Sequence, residues 1–494
     1  MAEAEKLKSA SGGTIEVSEF DSLLKKQFKP KSDAAKTAIE QAVRTLAEQA
    51  LAGAKVVSDD AIRTIENIIA EIDKKLTEEV NAILHHEDFQ TLEGAWRGLH
   101  HLVSKTETDE KLKIRVLNIS KADLGKTLKK FKGALWDQSP LFKKLYEEEF
   151  GSPGGQPYGA LVGDYHFDHT PPDVEILKGM AQIASAAHAP FIAGGSPSVM
   201  NLSSWQELSN PRDISKLFTT AEYAAWNSLR KSEDAKYLGL AMPRFLARQP
   251  YGAKSNPVED FAFEEDTAGA EHSKFTWANS AYAMASNITR AFKLYGWCAR
   301  IRGAESGGMV EGLPVHSFPT DDGGTDMKCP TEIAITDRRE AELAKCGFMP
   351  LSHWKNTDYG VFVGAQSLQQ PQEYDDPDAT ANAALAARLP YLFATTRFAH
   401  YLKCIVRDKI GSFKERADMQ QWLNEWIRQF TVDSSASEEI KALKPLAEAE
   451  VVVEEVPGNP GYYTSRFFLR PHYQLEGLTV SLRLVSKLPS AKSG

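Results

Sequence analysis

The alternation of apolar and polar residues is clearest near the C-terminal end of the chain. From Leu478 to Leu484 apolar residues occupy every second position, which is the period of a strand with one apolar face. Two earlier runs, Val451–Val456 and Tyr463–Leu469, precede it, and Gly/Pro-rich turn sequences separate the three. A terminal strand of this kind leaves an edge that a strand of another chain can pair with. The apolar positions expected to mediate this strand exchange are Val451, Val453, Phe467, Leu469, Leu478, Val480, Leu482 and Leu484.

Near the N-terminal end of the chain, apolar residues recur at the spacing of a helix instead of at every second position. Residues 1–13 are polar, and we expect them to be disordered. The next segment predicts a short helix that Ser18 caps and Pro30 ends. So short a helix is marginal alone in water, so it must pack on its own body or on a partner. Its apolar face consists of Val17, Phe20, Leu23, Leu24 and Phe28.

The middle of the chain mixes both periods, and this predicts an α+β fold. We expect a tail with the short helix at 1–31, a helical subdomain at 32–108, an α/β body at 109–445 and C-terminal strands at 446–494. Within the body, Ser120 and Asp123 resemble a helix capping box. The predicted strands of the body are Lys113–Ile119, Tyr158–Val162, Tyr237–Ala241, Thr331–Thr336 and Val361–Val363.

Composition narrows the functional classes. The formal net charge of −9 argues against a nucleic-acid-binding protein. The chain has no apolar stretch long enough for a membrane helix, and its N-terminus lacks the apolar core of a signal peptide. Its four cysteines have no CxxC spacing, which is typical of reduced thiols in a cytosolic protein.

Candidate chemistry is sparse. His166, Asp168 and His169 are the types of residue that bind a metal, but they follow a predicted strand, where neighbouring side chains diverge, so a structural loop is the favoured interpretation. The glycine-rich segments near residues 194 and 303 match neither a P-loop nor a nucleophile elbow. We therefore predict no catalytic residues, no metal and no cofactor. A basic stretch favours a face that meets an acidic protein: Lys121, Lys126, Lys129, Lys130, Lys132, Lys143 and Lys144.

Several long segments resemble one family. They include 92–99 (LEGAWRGL), 161–169 (LVGDYHFDH), 243–252 (PRFLARQPYG), 329–343 (CPTEIAITDRREAEL) and 469–477 (LRPHYQLEG). These stretches occur in the expected order over roughly residues 90–488. They are similar to the large subunit of the type VI secretion contractile sheath, the TssC/VipB family.

The resemblance implies a structural role rather than an enzymatic one. In this family the large subunit pairs with a small subunit, TssB/VipA, and the heterodimers polymerise around a tube of Hcp, starting from a baseplate. Contraction drives the tube and its spike into a target cell, and the AAA+ unfoldase ClpV dismantles the contracted sheath. The resemblance further implies that Val17, Phe20, Leu23, Leu24 and Phe28 bind the unfoldase, that the C-terminal strands are exchanged between subunits, and that the protein is cytoplasmic in a Gram-negative bacterium.

Two other interpretations stay open at this stage. One is the sheath of a different contractile, phage-tail-like system, against which the N-terminal helix argues. The other is a metal-dependent hydrolase that uses His166, Asp168 and His169. Neither a nucleic acid nor a membrane is expected among the partners.

Overall fold

The computed structural model describes residues 41, 61–210, 213–259, 261–267, 271–319, 323–409, 416–455 and 463–472. Helices and strands are mixed throughout these segments, which confirms the α+β prediction. The helices are α1 Ala61–Leu84, α2 Glu87–Ser104, α3 Lys121–Lys130, α4 Pro140–Phe142, α5 Pro171–Ala187, α6 Ile214–Leu217, α7 Ala224–Arg230, α8 Ser280–Tyr295, α9 Asp337–Lys345, α10 Pro377–Ala386, α11 Leu389–Lys409, α12 Arg416–Arg428 and α13 Glu438–Leu443. The strands are β1 Leu161–Phe167, β2 Phe191–Gly195, β3 Leu238–Met242, β4 Phe245–Leu246, β5 Trp277–Ala278, β6 Met309–Val310, β7 His316–Pro319, β8 Thr325–Lys328, β9 Phe348–His353, β10 Gly360–Phe362, β11 Leu446–Glu455 and β12 Tyr463–Pro471.

A six-stranded sheet forms the centre of the larger of two compact units, which comprises residues 91–248 and 276–494. Its strand order is β1-β2-β3-β9-β10-β6, and the first four strands run parallel. Helices α5 and α8 both pack on strands β1–β3, as expected for parallel strands, which need cover on their faces. Strands β2 and β3 are buried along their whole length.

Two glycines let helix α2 approach its neighbours in this unit closely. A Cβ atom on Gly94 would lie 2.4 Å from the backbone oxygen of Trp277, and one on Gly98 would lie 2.4 Å from the ring of Tyr282. Glu93, on the same helix, accepts a hydrogen bond of 2.6 Å from the buried Arg248. The glycines of the LEGAWRGL segment are therefore packing residues.

The smaller unit comprises residues 1–90 and 249–275. The Asn81 side chain on α1 holds the segment after residue 263, because its amide donates to the Glu264 carbonyl at 3.2 Å and accepts from the Asp266 N–H at 2.8 Å. Gln90 donates to the Ser273 carbonyl at 2.7 Å. Side-chain amides thus tie Glu264, Asp266 and Ser273 to the helices of their own unit.

A second apolar cluster lies in the C-terminal part of the larger unit. Strands β11 and β12 form an antiparallel ribbon, and its apolar face packs with α11 and α12. Trp297 stacks on Phe398 there with ring centroids 4.3 Å apart. This cluster is distinct from the core around the six-stranded sheet.

Two predicted strands are wrong. Lys113–Ile119 has no regular structure, because no strand among the described residues pairs with it. Thr331–Thr336 forms only an isolated bridge between Thr331 and Phe245 before the turn that leads into α9. The capping box is confirmed, since the Ser120 hydroxyl accepts a hydrogen bond from the Asp123 N–H. The four-part domain division stays a prediction.

Candidate strand-pairing interface

The candidate site is the ribbon formed by β11 and β12, which contains four of the predicted strand-exchange residues. The register pairs Val451 with Phe467, Val453 with Ser465 and Ala449 with Leu469. Residues 456–462, between the two strands, lie outside the described residues. The two predicted strands form one antiparallel pair, in which Val451 and Phe467 are opposite each other.

The inner face of the ribbon is anchored in the second apolar cluster. Val451 and Val453 are 0% and 1% exposed, and Phe467 and Leu469 are partly buried beside them. Leu423 and Ile427 of α12 are buried in the same cluster. Period-two alternation along β11 places Val451 and Val453 inside, and Glu448, Glu450 and Val452 outside. These predicted residues therefore hold the ribbon on its own helices.

The outer edge of β11 is closed by two side-chain amides of α12. Asn424 accepts a hydrogen bond from the Val451 N–H at 2.9 Å and donates to the Val451 carbonyl at 2.7 Å. Gln420 accepts from the Val453 N–H at 3.0 Å. The two amides thus bond to backbone N–H and carbonyl groups that an added strand would otherwise pair with. Sequence analysis missed both residues, although their i, i+4 spacing beside the apolar Leu423 and Ile427 is a usable signal.

The outer edge of β12, in contrast, has no backbone partner among the described residues. The backbone N–H and carbonyl of Val451 both bond to the Asn424 side chain, so they point away from β12. Val451 and Phe467 therefore do not exchange backbone hydrogen bonds across the ribbon. The backbone groups of Phe467 therefore point to the far edge, together with those of Ser465 and Leu469. No backbone group in the described part of the chain bonds to these three residues there. As far as the described residues show, the edge of the ribbon that stays available for pairing is that of β12.

The solvent-facing side of the ribbon combines charge with exposed apolar surface. Arg466 pairs with Glu454 at 3.3 Å and Arg470 with Glu448 at 2.8 Å. Such exposed pairs add little stability. Phe468 is 59% exposed on the same side. A neighbouring chain at the β12 edge would have this aromatic ring within its reach.

The remaining predicted binding residues lie outside the described residues. They are Val17, Phe20, Leu23, Leu24 and Phe28 of the N-terminal helix, and Leu478, Val480, Leu482 and Leu484 of the third C-terminal run. Their roles stay predictions.

The histidine loop does not form a metal site. Burial, with Arg244 and Lys121 nearby, lowers the pKa of His166 to about 3. Asp168 instead caps its own turn, accepting from the Thr170 N–H at 2.8 Å, and His169 lies 3.1 Å from Glu222. Among the described residues no group of three His, Cys, Asp or Glu side chains is placed to hold a metal ion. The hydrolase interpretation therefore has no geometric support.

Thiols and helices in the described segments add two further findings. All four cysteines are free thiols, of which Cys346 is buried. None of the helices in these segments has both the length and the apolar character that crossing a membrane requires.

Comparison with known families matches most of the chain. Residues 66–369 match the family described as EvpB/VC_A0108, tail sheath N-terminal domain. Residues 378–488 match the EvpB/VC_A0108 tail sheath gpW/gp25-like domain. The second match contains α12 and the ribbon.

Individual relatives agree with the family match. The chain is 71% identical over 490 residues, 99% of its length and 98% of the relative's, to the type VI secretion system sheath protein TssC1 of Pseudomonas aeruginosa. Solved structures with detectable similarity include the baseplate of the anti-feeding prophage, at 10% identity and a TM-score of 0.35 over 64% of this chain and 67% of that chain. The contracted helical sheath of the same particle has 12% identity and a TM-score of 0.26 over 63% of this chain and 74% of that chain.

Proposed function

This chain belongs to the EvpB/VC_A0108 tail sheath family, and we propose that it is the large, structural subunit of a type VI secretion contractile sheath. The 71% identical relative, matched over nearly its full length, supports this proposal. The structural observation that carries it is the edge of β12, which no strand within the described segments pairs with, because an unpaired strand edge suits a protein that polymerises.

The proposed sheath has two components. The chain pairs with a small subunit of the TssB/VipA type, and the heterodimers polymerise from a baseplate around a tube of Hcp. Contraction of this polymer propels the tube and spike. The work is mechanical, so the chain needs no catalytic residue and no cofactor, and we propose that it acts in the cytoplasm of a Gram-negative bacterium.

Strand exchange is the proposed link between neighbouring subunits. The third C-terminal run, with Leu478, Val480, Leu482 and Leu484 on one side, pairs with the β12 edge of a neighbouring subunit. Main-chain hydrogen bonds provide the affinity, and the alternating apolar face provides the specificity. The amides of Gln420 and Asn424 direct the incoming strand to β12 by closing the edge of β11.

Disassembly is proposed to depend on the N-terminal helix. Val17, Phe20, Leu23, Leu24 and Phe28 form its apolar face in the sequence, and an apolar groove of an unfoldase of the ClpV type accommodates such a face. This helix becomes accessible on contraction, so that recycling follows firing.

Negative-stain microscopy tests the proposal directly. The chain is expressed with and without a small subunit of the TssB/VipA type. Long hollow tubules that form only with the partner are the expected result. Monodisperse particles under both conditions contradict the assembly role.

A further inference from the structure

The thiol of Cys329 belongs to a cluster of polar groups that strand pairing does not use. Cys329 follows strand β8 directly and is partly exposed. Its sulfur lies 3.2 Å from the Thr331 hydroxyl and shares a hydrogen bond with His353, the last residue of β9. A nucleophile within hydrogen-bonding reach of a base, which a third group orients, is the arrangement that activates a side chain for covalent chemistry. Cys329 is therefore not an isolated thiol.

A backbone carbonyl fixes the proton position on His353. The Nε2 atom lies 2.9 Å from the Thr357 carbonyl oxygen, and a carbonyl only accepts, so Nε2 carries a proton. Nδ1 is then the nitrogen that bonds to Cys329, and in the neutral imidazole it is an acceptor. Burial opposes a charged imidazole, but the bonds to Cys329 and Thr357 raise the pKa of His353 above its usual value. Nδ1 is thus suited to take the proton of the thiol.

The backbone next to the thiol is held against strand β4 and the residue before it. The Leu246 N–H donates to the Pro330 carbonyl at 2.8 Å, and the Glu332 N–H donates to the Arg244 carbonyl at 3.1 Å. The Arg244 guanidinium also donates to the Glu332 carboxylate at 2.7 Å. Supporting bonds of this kind keep reactive groups in a productive geometry. The thiol and the imidazole are therefore positioned before a reagent arrives.

The reagent for this thiol has to come from another molecule. All four cysteines of the chain are free thiols, so Cys329 has no disulfide partner within it. In the cytosol, disulfides are usually transient and serve catalysis or redox sensing. A protonated imidazole beside the sulfur suits a small disulfide as the reagent, because the thiolate that departs from it binds a proton near neutral pH.

We propose that Cys329 is a site of reversible S-thiolation by low-molecular-weight disulfides of the glutathione type. The thiol proton moves to Nδ1 of His353, and the thiolate sulfur attacks one sulfur of the small disulfide. A new S–S bond forms as the old one breaks, and the departing thiolate takes the proton back from Nδ1. The products are a mixed disulfide on Cys329, one small thiol and a neutral imidazole. Excess small thiol reverses the exchange.

Peptide mass spectrometry of the full chain, incubated with glutathione disulfide at neutral pH, tests the site. We expect a glutathione adduct on Cys329 to form about tenfold or more faster than on Cys404, which is also partly exposed. Dithiothreitol should remove the adduct. The buried Cys346 reports any unfolding, because it gains reactivity only when the chain opens. Equal rates at Cys329 and Cys404, or no adduct on Cys329, overturn the proposal.

Substitution of His353 tests the proton transfer. His353→Gln retains an amide that can donate to the Thr357 carbonyl but has no base, so thiolation of Cys329 should slow by about tenfold while the rate at Cys404 is unchanged. His86→Gln, at an exposed histidine, is the matched control and should leave both rates unchanged. The deficit should shrink with an aromatic disulfide whose leaving thiol is strongly acidic, because that thiolate needs no proton. An unaltered rate at Cys329 in His353→Gln overturns the proposed exchange step.

Discussion

At the scale of single residues, Cys329 differs from the other thiols in its surroundings. Its sulfur lies 3.2 Å from the Thr331 hydroxyl, and it shares a hydrogen bond with His353, whose Nε2 donates to the Thr357 carbonyl at 2.9 Å. Burial opposes the thiolate, but these hydrogen bonds outweigh it and hold the pKa of Cys329 below its usual value. Burial raises the pKa of Cys346. The fraction of Cys329 that is thiolate near neutral pH is therefore larger than that of Cys346.

We expect iodoacetamide to alkylate Cys329 about tenfold faster than Cys346, as followed by peptide mass spectrometry. His353→Gln removes the imidazole and should raise the pKa of Cys329, so that alkylation slows and its pH midpoint moves upward. His86→Gln, at an exposed histidine, serves as the control. Equal rates at the two cysteines would contradict the assignment.

Buried His400 predicts a loss of stability in acid. It is 2% exposed, and burial, aided by Arg397 and Lys403, lowers its pKa to about 4 although it donates to the Ala187 carbonyl at 2.8 Å. In the unfolded chain a histidine binds its proton near pH ~6.5. Between these values the unfolded state binds more protons, so this contribution is present above pH ~6.5 and is lost as the pH falls towards about 4.

At pH ~5 we expect His400 to lower the free energy of unfolding by about 2 kcal/mol relative to neutral pH. Urea unfolding of His400→Gln, compared at the two pH values, should show a correspondingly smaller decrease. The exposed His100→Gln should retain the full decrease. An identical acid slope for His400→Gln would refute this account.

At the scale of elements, helix α12 both supports the ribbon and limits where it can pair. Asn424→Leu keeps much of the side-chain volume but leaves the Val451 N–H and carbonyl without the bonds that Asn424 provides. We expect a loss of about 1–3 kcal/mol in the free energy of unfolding, measured by denaturant titration. Gln421→Leu changes an exposed amide on the same helix and should cost much less. An equal loss of stability in the two variants would show that the Asn424 amide does not stabilise the edge of β11.

Elements with a clear period could be predicted from the sequence. The apolar stripes predict α1 and α2, and the two-residue spacing of Val451 and Val453 predicts that they share one face of β11. Strand β2 escapes prediction because it is five residues long, buried on both faces and ends in two glycines, so it has no alternation. Lys113–Asn118 has the propensity of a strand, but pairing requires a second strand, and the described part of this chain supplies none.

The candidate site could be predicted only in part for a similar reason. The spacing of Val451, Val453, Phe467 and Leu469 identifies which side chains share a face. Which edge of the ribbon stays open depends on Gln420 and Asn424, which lie far from β12 in the sequence. A local pattern carries no information on such a contact, because it arises only when α12 packs on the ribbon.

At the scale of the whole molecule, the edge of β12 is the place where we expect one subunit to join the next. Within the described residues no backbone group pairs with Ser465, Phe467 or Leu469 on that edge. Its expected occupant is the third C-terminal run of a neighbouring large subunit. A contact between two different elements is heterologous, and contacts of this kind that do not close into a ring generate helical polymers.

Removing or charging the third C-terminal run should separate heterodimer formation from polymerisation. Leu482→Lys places a lysine on the apolar side of the run, and burying an unpaired charge at a strand-exchange contact costs several kcal/mol at every repeat of the polymer. We expect the variant to retain the small subunit on co-purification but to form about tenfold fewer tubules or none. Ser481→Lys places the same charge on the opposite side of the run and should assemble normally. If Leu482→Lys forms tubules of ordinary length and number, strand exchange through this face is not what joins the subunits, and the exposed Phe468 side of the ribbon becomes the next surface to change.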